Sequence, residues 1–143
     1  MPFAGTRQLP DEPIIITTYE GAINVDEVTA GSMEVAKLMG TIEGRVWAVV
    51  DLSTITTSFA DVMKIMMHQS QGTEGTTTDP KLAAMVLVGS DQFVRLYTDA
   101  MRKKTQGVIL PMYRTIDDGV NALRIMIENE KKKQATEADK DTA

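Results

Sequence analysis

The sequence predicts an α/β domain, an alternating (βα)4 chain whose four-stranded, mainly parallel sheet is packed by helices. Three observations carry this. Apolar, β-branched runs alternate with segments whose apolar residues repeat at helical spacing. Two runs, Val46 to Val50 and Leu82 to Val88, are apolar without alternation, as strands buried on both faces are. The predicted helices open on residues that cap well, namely Asn24, Ser58, Ser90 and Thr115. The order βαβαβαβα then implies parallel strands joined by right-handed crossovers.

Each element follows from local chemistry. Residues Met1 to Pro13 mix prolines and a glycine with polar side chains and read as an N-terminal arm or loop. The first strand, Ile14 to Tyr19, is β-branched and stops at Glu20-Gly21. The first helix begins near Asn24, with Glu27 completing a capping box. Val28, Val35, Ala36, Met39 and Ile42 form its apolar stripe, and Gly40 and Gly44 stop it. The second strand, Val46 to Val50, ends at Asp51. The second helix starts at Ser58 with Asp61 in the reciprocal position, and turns Phe59, Val62, Met63 and Met66 inward. Gln69 to Pro80 is rich in Gly and Thr and reads as a mobile loop.

The third strand is Leu82 to Val88. Gly89-Ser90 then leads into a helix with Phe93, Tyr97, Ala100 and Met101 inward, ended by Gly107. The fourth strand, Val108 to Met112, contains Pro111, which cannot donate to a ladder and so places the strand at a sheet edge. Thr115 and Asp118 cap the last helix, with Ile116, Val120, Leu123 and Ile127 as its stripe. From about Glu128 no apolar face continues, so the end reads as a charged, disordered tail. The expected division is an arm over 1–13, a domain over 14–129 and a tail over 130–143.

Composition limits the function. At 143 residues and 43% apolar content, one core suffices without staples, and there is no cysteine for disulfide, thiolate or all-cysteine zinc chemistry. The formal charge of −5 and the absence of a basic stripe argue against nucleic acid. Arg102-Lys103-Lys104 and Lys131-Lys132-Lys133 read as solvated faces. No apolar run approaches the ~20 residues of a membrane span, and no signal-peptide core precedes Pro13. The expectation is a cytoplasmic protein.

The stretches Val49-Val50-Asp51-Leu52-Ser53 and Tyr113-Arg114-Thr115-Ile116-Asp117-Asp118-Gly119-Val120-Asn121-Ala122-Leu123, with the element order, resemble the STAS-like superfamily. Within it the chain is most similar to the SpoIIAA-like, anti-sigma-factor-antagonist-like branch of small bacterial domains. The resemblance spans about Ile14 to Ile127. It implies a non-enzymatic role in regulation through protein contact, with lipid-binding domains in the same broad group. Members that antagonise anti-sigma factors carry an Asp-Ser-Ser-Gly-like turn at the second helix, where a partner kinase phosphorylates a serine. Here that turn reads Thr56-Thr57-Ser58-Phe59-Ala60-Asp61, so hydroxyls are present without the motif. Thr56, Thr57 and Ser58 are the candidate regulatory hydroxyls.

The residues themselves propose no enzyme. His68, the single histidine, falls opposite the inner stripe of its helix and has no evident nucleophile to serve. Gly72-Thr73-Glu74-Gly75-Thr76 lacks the lysine of a phosphate loop and precedes a strand. No cofactor is expected. Open parallel sheets bind ligands beyond the carboxyl ends of their strands. Asp51, Ser53, Ser90, Asp91, Tyr113 and Arg114 would share that rim, although capping alone also explains the serines. Ile65 and Met67 flank the inner stripe of the second helix and are candidates for an interface. The expected function is a non-catalytic regulatory module that binds a protein partner or itself. Helices mainly on one sheet face would leave the other to be covered by the N-terminal arm, a rearranged strand order or another subunit, and a homodimer is expected. The alternative is a module for a small apolar molecule or lipid.

Overall fold

The structure is a computed structural model that describes residues 3–69, 80–102 and 110–141. The chain runs β1 (Phe3–Gln8), β2 (Ile14–Gly21), α1 (Val25–Met39), β3 (Val46–Ile55), α2 (Phe59–Gln69), β4 (Leu82–Val88), α3 (Asp91–Arg102), β5 (Met112–Tyr113) and α4 (Ile116–Asp141). The described strands form one five-stranded sheet in the order β1-β2-β3-β4-β5. The pairs from β2 to β5 are parallel, and β1 runs antiparallel to β2.

The α/β class holds, with corrections to its parts. The expected four-stranded sheet has a fifth strand, because the N-terminal arm pairs with β2 from Phe3↔Tyr19 to Gln8↔Ile15. Leu9 to Pro13 link the two strands, with the Leu9 N–H bonded to the Ile14 carbonyl at 3.0 Å. The second expected strand runs on past Asp51 to Ile55. The expected tail is helical as far as Asp141. Glu, Lys, Gln and Ala hold a helix by propensity without needing an apolar face. The last strand does lie at an edge, but Val108 and Ile109 are outside the described residues, as are Gly107 and the stretch Gly72–Thr76.

Capping is local and forms as the sequence indicates. The Asn24 side chain accepts the Glu27 N–H at 3.1 Å, and Glu27 accepts the Asn24 N–H in return. Thr115 Oγ1 accepts the Asp118 N–H at 3.1 Å.

The core lies on both faces of the sheet. On one, Ile15, Val46 and Ala48 pack with Val35 and Met39 of α1. Toward the strand ends of the same face, Tyr19 and Leu52 pack with Val62 and Ile65 of α2 and Phe93 of α3. Sequential right-handed crossovers put these three helices on a common face. α4 has no strand after it and crosses to the other side. There Val120 and Leu123 close over Ile14, Ile16, Trp47, Val49, Val86 and Val88. The second face, whose exposure motivated the expected homodimer, is therefore covered in part by α4 of the same chain.

Candidate functional site

The carboxyl ends of the parallel strands bring the expected rim residues to one end of the sheet. Register aligns Thr18, Asp51, Val88 and Tyr113 as neighbours across β2, β3, β4 and β5. Side chains alternate faces along a strand, so this row shares the α4 face with Ile16, Val49 and Val86 two residues earlier. Asp51 is 5% exposed, an unusual position for a carboxylate in a parallel sheet. Its Oδ1 accepts both the Ser53 N–H at 3.0 Å and the Ser53 Oγ–H at 2.7 Å. These bonds offset the cost of burying the charge.

Ser90, Asp91, Tyr113 and Arg114 gather at the other side of the rim. Ser90 Oγ accepts the Phe93 N–H at 3.3 Å and so caps α3. The Gly89 N–H bonds to the Tyr113 carbonyl at 3.0 Å. Arg114 Nε pairs with Asp91 Oδ1 at 2.8 Å, with both side chains mostly in solvent. Tyr113 is half-buried and packs against the core that α4 closes. β4 separates this group from Asp51 and Ser53.

The candidate hydroxyls have different surroundings. Thr57 Oγ1 accepts the Ile23 N–H at 2.7 Å, which fastens the loop before α2 to the loop before α1. Ser58 Oγ accepts the Asp61 N–H at 3.3 Å and is exposed, as a cap should be. Thr56 is exposed, and its N–H is held by the Gly21 carbonyl at 2.9 Å. Ile65 is not an outward residue: it is 8% exposed and packs with Tyr19, Ile23, Val62 and Phe93. Along α2, Val62 and Ile65 are buried, and Phe59, Met63 and Met66 are partly so. The side chains of Met67 and His68 lie outside the described ones.

Charge on the rim is mainly negative. Asp26 and Glu27, Asp61, Asp91, and Asp117 and Asp118 occupy the first turns of the four described helices. These carboxylates suit the positive helix ends and leave them little attraction for a further anion. Two tyrosines titrate above their ordinary range because burial disfavours the phenolate, Tyr19 strongly and Tyr97 despite its bond to the Leu110 carbonyl. Among the described residues no group of three or more His, Asp or Glu is placed to hold a metal, and no described helix is long and apolar enough to cross a membrane.

A second polar region was not legible from sequence because β1 was not. Gly5, Thr6 and Arg7 of β1, with Ile16 and Thr18 of β2, line a groove of about 320 Å3 on the face that α4 covers only in part. The turn residues Pro10-Asp11 between two extended segments were the available signal. No family model matches the chain, and no curated protein matches it.

Proposed function

We propose that the chain is a non-catalytic, STAS-like regulatory module of the SpoIIAA-like kind that acts by binding a protein partner through the rim at its strand ends. The observation that carries the reading is how the rim's polar groups are used. Ser58, Ser90 and Thr115 cap helices, Thr57 joins two loops, and Asp51 holds Ser53. Side chains engaged in this way make a fixed, polar contact surface rather than a set of mobile acids, bases and nucleophiles. The element order of β2 to α4 supports the family part of the reading. Self-association through the sheet has lost its motive, since α4 occupies that face. The acidic first turns set the sign of the partner's surface, which should be basic.

Photo-crosslinking in cells of the source organism tests the proposal. A photoreactive residue replaces Thr56 or Arg114 on the rim, or Lys37 near the opposite end of α1. The expected result is one shared protein adduct from the two rim positions and none from Lys37. Adducts independent of position, or none from the rim, would overturn it.

A further inference from the structure

We propose that the groove along β1 and β2 binds a small carboxylate, with Arg7 and Thr18 as its polar contacts. This site adjoins the rim at Thr18 and Asp51, but it takes a different kind of ligand and does not depend on the partner reading. The groove is built by pairing. Gly5 stands opposite Thr18 and Arg7 opposite Ile16 on the antiparallel ladder. Gly5 has φ +147°, a region side-chain-bearing residues rarely adopt, and it sits at an irregularity in the register. No side chain therefore covers Thr18 from across the strand, and the space a Cβ would take at Gly5 is open.

Two polar side chains, the exposed Arg7 and the half-buried Thr18, line the groove on the same sheet face. Arg7 is in none of the ion pairs among the described residues. Thr17, the neighbour facing the other way, receives a hydrogen bond from Thr6. The Thr18 hydroxyl makes none among the described residues. A guanidinium with a nearby hydroxyl donor is a set suited to an oxyanion, and the planar fork of arginine matches a carboxylate with two parallel bonds. Ile16 supplies an apolar part of the lining. The other described groove, at Arg45 and Glu130, already has its arginine paired at 2.8 Å.

Charge selects among oxyanions. Asp51 lies beside Thr18 in register and is buried. Its negative charge penalises a second charge on the ligand, so a monocarboxylate with a short apolar body is favoured over phosphate.

The test is an amide NMR titration of the full chain with butyrate and, separately, with inorganic phosphate at matched ionic strength. Butyrate is expected to give saturable shifts at Gly5, Arg7 and Thr18. Arg7→Ala should weaken its binding by about tenfold or more, the loss of one charge-assisted contact. Thr18→Val should weaken it less, and melting temperatures should stay unchanged in both variants. Three results would overturn the proposal: no saturable shift in the groove, equal affinity in wild type and Arg7→Ala, or phosphate binding as tightly as butyrate.

Discussion

Thr57 and Ser58 are adjacent hydroxyls with unlike duties, and the difference can be measured. Thr57 Oγ1 is the acceptor for the half-enclosed Ile23 N–H at 2.7 Å, whereas Ser58 caps an exposed helix start at 3.3 Å. Thr57→Val keeps the shape but leaves the Ile23 amide unsatisfied, at a cost of about 1–3 kcal/mol. Ser58→Ala should cost ~1 kcal/mol, and Ser58→Asp almost nothing, because Asp caps as well as Ser. Urea denaturation of the three variants gives the order directly, and equal losses for Thr57→Val and Ser58→Asp would contradict it. Gly31 shows close approach. A Cβ there would overlap the Tyr19 hydroxyl and lie 2.7 Å from its Cζ. Overpacking of ~1–3 kcal/mol then competes with the ~1 kcal/mol that Ala gains over Gly in a helix. Tyr19 is a rigid, buried ring, so net destabilisation is expected for Gly31→Ala, and a raised melting temperature would refute the contact. The two buried tyrosines also fix the alkaline limb. Their folded pKa values lie above the unfolded value of about 10. Their contribution is therefore full below that pH and is lost as pH rises through the folded values. Thermal melts of Tyr19→Phe should show a shallower decline above about pH 10 than wild type.

Among the elements, those specified by local signals were legible, and those specified by their neighbours were not. The α1 capping box, the apolar run of β4 and the edge position of β5 could each be read from a few adjacent residues. β1 could not, because an edge strand holding Gly5, Arg7 and Gln8 has no apolar period and is defined by the partner it pairs with. The candidate rim was legible as a set of residues. Its division into an Asp51–Ser53 pair and an Asp91–Arg114 pair was not, since β3 extends past Asp51 and β4 intervenes. The end of α4 was missed because helix propensity, rather than burial, carries it. Lys131 to Gln134 and the residues up to Thr136 are exposed, and the nearest ion pair to the body is Glu130 with Arg45 at 2.8 Å. Truncation after Lys131 keeps that pair. It should change stability by less than ~1 kcal/mol while lowering the helical circular dichroism. An unchanged spectrum would show that residues 132–141 are not helical.

At the scale of the whole molecule, one helix decides what surface is left for binding. α1, α2 and α3 serve one sheet face, and α4 must close the other with Val120, Leu123 and the close-packed Gly119, where a Cβ would stand 3.3 Å from Val86 and 3.4 Å from Val88. The hairpin turn is tied to the same helix by Arg124, which donates from Nε and Nη2 to the Glu12 carboxylate at 3.0 and 2.8 Å and holds its pKa below the usual range. With one face packed by three helices and the other covered in part by α4, the proposed partner would be left the rim and the proposed small ligand the strip over β1 and β2. The sequence showed that a second face existed, because Val46 to Val50 and Leu82 to Val88 are apolar on both sides. Which element covers it is a property of topology that no local pattern carries. Amide hydrogen exchange of the dilute chain tests this most directly. Residues 119–127 of α4 should exchange as slowly as β3 and β4, with 131–141 exchanging far faster. Rapid exchange along all of α4, with slow exchange kept in β3 and β4, would contradict the account and return the second face to another subunit.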